Sequence, residues 1–156
     1  MLFRSEPARP VFVEAESRRI GRVTLPASLI GHMHHAPCVA VEADRDERIA
    51  FLLDEYAHLF EEPERFKAQL AKLIGLHGRE RVDRWHQLID DGARATLFQE
   101  LIDLHYDPAY ARSSASHFIE LPHATPFVFR PNARDSDVQA RALLELLEAG
   151  RGCEQR

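Results

Sequence analysis

Two short apolar runs constrain this chain more than any other feature. Val11-Phe12-Val13 and Cys38-Val39-Ala40-Val41 are too short for helices, and each runs into acids: Glu14 and Glu16 after the first, Glu42 and Asp44 after the second. A run that is apolar on both faces reads as a strand covered on both sides, as in a parallel sheet. Glu14 and Glu16 fall on one face of the first strand because side chains alternate. Between the runs, Pro26 is placed to open a helix, Leu29, Ile30 and Met33 give it an apolar face, and Pro37 ends it. Strand, helix and strand at this spacing predict a βαβ unit over 11–44, with parallel strands and a right-handed crossover.

The period changes after that unit. Asp44 with Glu47 three residues on resembles a capping box, and Ile49, Leu52, Leu53, Tyr56 and Phe60 follow as one helical stripe. Three more stripes follow: Phe66, Leu70, Leu73 and Ile74; then Val82, Trp85 and Ile89; then Leu97, Leu101 and Leu104. Tyr106-Asp107-Pro108 is expected to break the last of these, with a short helix running on to Ser114. His117–Leu121 and Phe127–Phe129 read as short strands, and a final helix is expected from about Ser136 to Ala149. The organisation expected is one domain over 1–156: a loose leader at 1–10, the βαβ unit at 11–44, a helical region at 45–115, and short strands with a C-terminal helix at 116–150. The fold class is α/β, an incomplete P-loop-type parallel sheet of few short strands with a large helical insertion or lid, helix-rich overall.

Composition narrows the function. The 156 residues hold 45% apolar and 29% charged residues, a globular balance. No apolar run approaches the ~20 residues a membrane helix needs, and the first ten residues have no secretory h-region. The expectation is a cytoplasmic protein that does not engage a membrane. The formal net charge of −5 argues against nucleic-acid binding by bulk charge but leaves room for a local patch. Two cysteines, Cys38 and Cys153, make neither a disulfide scaffold nor a zinc pattern, and are expected to be a buried thiol and a tail thiol.

Several constellations carry possible chemistry. An apolar strand ending in acid is a Walker B pattern, whose acid holds Mg²⁺ in nucleotide-binding domains. Its partner, GxxxxGK[ST], is absent: Lys67 and Lys72 are the only lysines, and neither follows a glycine. A self-sufficient P-loop hydrolase is excluded. Arg18, Arg19 and Arg22 lie just past the acidic strand end, either as a clamp for phosphate or RNA backbone or as a solvated loop paired with Glu14 and Glu16. Arg79, Arg81 and Arg84 are a second cluster, read either as a second basic patch or, in preference, as a solvated helix face. His32, His34 and His35 lack the i, i+4 spacing of a helical metal pair and read as helix-end polar groups; no metal ligand is assigned. Tyr106 and Tyr110 are placed either to stack on a base or to pack at a rim.

The stretch V-F-V-E-A-E-S-R-R-I-G, Val11 to Gly21, resembles a motif of the bacterial tRNA 2-selenouridine synthases, in which a strand runs into E-x-E-S-R-x-I-G. Here those positions are Glu14, Glu16, Ser17, Arg18, Ile20 and Gly21. Later landmarks keep the family's order: Leu25-Pro26, the strand Val39–Glu42, Arg48 followed by Glu55-Tyr56, and Tyr106-Asp107-Pro108-Ala109-Tyr110. The resemblance spans roughly Pro10 to Tyr110. It implies the C-terminal part of an enzyme that converts wobble 2-thiouridine to 2-selenouridine in tRNA. That enzyme works through an S-geranyl intermediate, with geranyl diphosphate and selenophosphate as co-substrates and Mg²⁺ as a further candidate.

On the resemblance, Glu14 and Glu16 take the metal-facing or catalytic-acid role, Ser17, Arg18, Arg19, Arg22 and Arg48 contact phosphate or tRNA, and Tyr106 and Tyr110 stack on a base. The family's rhodanese cysteine and phosphate loop have no counterpart in these residues. The chain alone is therefore expected to be inactive, with no cofactor of its own. It would be completed by a separate chain carrying the missing half, or self-associate through an exposed sheet edge. The alternative reading is a non-catalytic tRNA-binding adaptor, or the product of a truncated gene.

Overall fold

The computed structural model describes residues 11–14, 19–131 and 135–153. Its first regular element is a hairpin. β1 (Arg19–Ile20) pairs antiparallel with β2 (Val23–Thr24) across a two-residue turn, Gly21-Arg22. Gly21 sits at φ 60°, a left-handed conformation that a residue without Cβ adopts at no steric cost. The segment expected as a clamp or a solvated loop thus folds back on itself as a hairpin, which Gly21 allows.

α1 (Ala27–His34) begins directly after Pro26 and buries Ile30. β3 (Val39–Glu42) follows, then α2 (Arg45–Glu55). The Asp44 carboxylate caps α2, accepting the backbone N–H groups of Asp46 at 2.9 Å and Glu47 at 3.1 Å. A 3₁₀ turn (Ala57–Phe60) leads to α3 (Pro63–Leu70) and the short α4 (Ile74–His77). Gly78, at φ 81°, turns the chain into α5 (Arg79–Asp90). α6 (Arg94–Leu101) then runs through a π-helical segment, Ile102–Tyr106, into α7 (Asp107–His117). A 3₁₀ turn, β4 (Thr125–Val128) and α8 (Ser136–Cys153) complete the described chain.

The sheet differs from the βαβ expectation. Val11–Glu14 carry no regular structure and are exposed, Val11 to 66% and Phe12 to 53%. Ala15 and Glu16 lie outside the described residues. β3 finds its parallel partner in β4 instead, with Val39 opposite Thr125 and Glu42 opposite Val128. The ladder continues at both ends: Thr125 N–H donates to the Cys38 carbonyl at 2.9 Å, and Phe129 N–H to the Glu42 carbonyl at 2.7 Å. The physical reason is pairing. An apolar run becomes a strand only where another strand satisfies its backbone, and no described strand lies beside 11–14. The whole helical region is thus the crossover between two neighbouring parallel strands. The helix-rich α/β architecture of few strands stands as expected.

Two local expectations are corrected. His117–Leu121 is not a strand: His117 ends α7, and 121–123 form a 3₁₀ turn. Phe118 N–H closes the last turn of α7 on Ser114, and Ile119 N–H goes to the His34 carbonyl at 3.1 Å, so no ladder is left to build. Nor does Tyr106-Asp107-Pro108 break the helix. Pro108 removes one N–H donor from a helix interior. The wider π segment immediately before it carries the chain into α7 without a stop.

The core lies in the helical region. Among described residues every buried apolar side chain except Ile30 falls between Phe66 and Ile102. Val82, Trp85 and Leu97 are completely buried, and Phe60 meets Phe66 and Phe98 edge to face. α3 packs on α5 and α2 on α6. The sheet by contrast is two strands with exposed Val41 and Val128.

Candidate functional site

The structure places the sequence-predicted site residues in two separate regions. The first is the hairpin. Glu14 precedes it on an exposed irregular stretch. Arg19 donates its Nε–H to the Gly21 carbonyl at 3.0 Å, which folds its guanidinium over the turn. Arg22 stands exposed in the turn itself. Glu16, Ser17 and Arg18 lie outside the described residues. Two arginines on a tight exposed turn can meet a phosphate without first giving up a buried environment.

The second region joins α2 to the Tyr106–Tyr110 motif. Arg48 grips Asp107 with both nitrogens, at 3.0 and 2.6 Å, and one turn earlier Arg45 grips Asp103 in the same way. The Asp107 hydrogen bond holds the Arg48 guanidinium above its already high ordinary pKa, against the effect of burial. Arg48 is therefore engaged by Asp107 in this structure, and a free phosphate would have to displace that carboxylate. Tyr106, the last residue of the π segment, and Tyr110, on the first turn of α7, are half-exposed and four residues apart along the continuous helix. Sequence reasoning missed Asp103, Asp107 and Arg45. Their pairing spans 58 and 59 residues, so no local pattern announces it.

A cleft of about 990 Å³ lies beside this second region, lined by His77, Arg79, Glu80, Arg81, Arg84 and Asp103 among others. Exposed and half-buried polar contacts run along it. The Trp85 indole donates to Glu100 at 3.1 Å, and Arg84 donates to the other oxygen of the same carboxylate at 2.6 and 2.8 Å. His77 packs edge-on against Trp85 and bonds His105 nitrogen to nitrogen at 3.0 Å. Burial, then His105, then the charges of Arg81 and Arg112 push the His77 pKa below its ordinary 6.5.

The remaining candidates have structural placements. His32 and His35 each contact a carbonyl one turn back, Ser28 at 2.7 Å and Gly31 at 2.8 Å, and the His34 ring meets Phe118 and His117. Cys38 is half-buried, and burial, followed by Glu120, raises its thiol pKa. The side chain of Cys153 lies outside those described.

The chain is thus a helix-rich α/β domain that carries an arginine-bearing turn, a cleft of mixed charge and an exposed tyrosine pair. The comparisons make the class specific. The family model for the tRNA 2-selenouridine synthase AAA domain matches residues 1–122, so the chain belongs to that family. It is also similar to a tRNA 2-selenouridine synthase of Marinobacter nauticus, 38% identical over 53 residues. That stretch covers 34% of this chain and 14% of the relative. No solved structure matches.

Proposed function

We propose that the chain is the C-terminal part of a tRNA 2-selenouridine synthase, acting in the replacement of sulfur by selenium at wobble 2-thiouridine through an S-geranyl intermediate. In that sequence the thiocarbonyl sulfur attacks the geranyl carbon and diphosphate leaves. The selenium of selenophosphate then adds at the same base carbon and geranyl thiol departs, after which water cleaves the Se–P bond and releases phosphate. Both stages handle phosphorus oxyanions on a polyanionic substrate. Arg18, Arg19 and Arg22 are assigned to those oxyanions, and Glu14 and Glu16 to proton transfer or to a bound Mg²⁺. Arg48 is assigned to positioning the Tyr106–Tyr110 motif.

The observation that carries this reading is the family match, which runs unbroken from the arginine-bearing hairpin through the Tyr106–Tyr110 motif. The sequence holds no GxxxxGK[ST] loop, so the reading includes that the 156 residues alone do not catalyse. The deciding experiment incubates the purified chain with 2-thiouridine-containing tRNA, geranyl diphosphate and selenophosphate. It is run with and without a second chain supplying a rhodanese cysteine and a phosphate loop. Nucleoside mass spectrometry is expected to find 2-selenouridine only with both chains. Selenouridine from this chain alone would overturn the inactivity, and none from either mixture would overturn the assignment.

A further inference from the structure

The cleft beside α5 is not explained by the hairpin or by the Arg48–Asp107 pair. Its charges are unevenly satisfied. Of its carboxylates, Glu100 is taken by Arg84 and Trp85, and Asp103 by Arg45. Arg79 and Arg81 make no ion pair among the described residues, and Glu80 is the one lining carboxylate left to oppose them. Both arginines are exposed. With Glu100 and Asp103 already paired, the lining charges left over are Arg79 and Arg81 against Glu80, a small positive excess that suits a ligand bringing its own negative charge.

Aromatic rings extend from the cleft toward α7. His77 lies in its wall, its ring centroid is 5.1 Å from that of His105, and His105 in turn lies 5.1 Å from Tyr106. Tyr106 is 50% exposed. Arg112 lies near enough to act electrostatically on His77, so a third cation flanks the same strip. Cations beside an exposed ring match single-stranded nucleic acid, whose phosphates need charge and whose bases need a flat partner. An acidic peptide would use the arginines but leave the ring idle.

We infer that the cleft between α5 and the π segment binds single-stranded RNA, with Arg79 and Arg81 on successive phosphates and Tyr106 stacking on an adjacent base. This deepens the family reading by assigning a part of the tRNA, an unpaired segment, to a surface that the hairpin residues do not form. The chain's net charge of −5 opposes RNA at long range, so attraction comes from the local cations and falls as salt screens them.

The test is fluorescence anisotropy of the full chain with a labelled unmodified tRNA and a labelled oligouridylate, across a salt series. Both are expected to bind. The Arg79→Ala/Arg81→Ala double variant is expected to lose roughly tenfold in affinity and to flatten the salt slope by about 0.7 per phosphate contact removed. Tyr106→Ala is expected to weaken binding roughly five- to one-hundred-fold with the slope unchanged. Arg65→Ala, whose residue lies outside the cleft lining, is the charge control, and melting curves check that each variant folds. Unchanged affinity in the double variant, no binding of either RNA, or equal binding of polyglutamate would each overturn the inference. Failure here and failure of the family reading are separable. Selenouridine formed by the two-chain mixture with an unaffected double variant sinks only the cleft. RNA binding through the cleft without any selenouridine sinks only the synthase assignment.

Discussion

The helical region and the segment before it contrast sharply. From Phe66 to Ile102 the chain buries a continuous apolar cluster around Trp85. From Val11 to Thr24, Val11, Phe12, Val13 and Val23 are exposed at 52% or more, and the only ladder among the described residues is a two-residue hairpin. Yet the leading segment carries the more specific motif, and the helical region the more ordinary sequence. Motif and stability therefore reside in different places. The helical region supplies its own packing partners, because its helices are close in sequence and meet through stripes at helical spacing. The apolar leading segment has no neighbour among the described residues to bury it.

Substitutions can break or sharpen this contrast. The largest effect is expected at Trp85→Ala. Removing a fully buried indole and its bond to Glu100 should cost about 3–5 kcal/mol in denaturant unfolding. A loss below 1 kcal/mol would show that the cluster does not hold the fold. Next comes the Arg48–Asp107 link. A double-mutant cycle on Arg48→Ala and Asp107→Ala should give a coupling of about 0.5–1 kcal/mol, modest because both side chains are about a third or more exposed. A coupling of zero would reduce the pair to a surface contact.

His77 gives a pH signature. Its pKa is depressed in the folded chain, so as pH falls below about 6.5 the unfolded state takes up the proton more readily. Stability should therefore decline as pH falls through that value and level off once the folded state also protonates. His77→Gln should remove this component, seen as a shallower loss of Tm between pH 7 and pH 5. An identical pH profile in the variant would show that His77 does not titrate with folding. The smallest effect belongs to the leading segment: Val13→Ser should stay within about 0.5 kcal/mol. A loss of 2 kcal/mol there would mean that the segment is packed after all.

What could be read from the sequence follows the same division. The helical stripes named most of the core: Phe66, Leu70, Val82, Trp85, Ile89, Leu97 and Leu101 are all buried, whereas Tyr56 and Leu104, on the same stripes, are exposed. The Asp44 cap and the Pro26 helix start were equally legible, because each is decided within a few residues. The partner of β3 was not, since β4 lies across the entire helical region and strand pairing leaves no local trace. The same holds for Asp103, Asp107 and the His77–His105 contact, which join residues far apart in sequence. Pro108 misled because a proline usually stops a helix, and the π segment that absorbs it has no sequence signature. At the hairpin, the turn that follows Arg19 and carries Arg22 depends on Gly21, whose left-handed conformation a sequence pattern alone does not announce.

Hydrogen exchange of the intact chain, followed by mass spectrometry, tests the central contrast most directly. Strong protection is expected in peptides from 63–106, intermediate protection at 39–42 and 125–128, and almost none at 11–14. Protection at 11–14 equal to that of α5 would contradict the account, because it would place a packed strand where the structure has an exposed, unpaired segment.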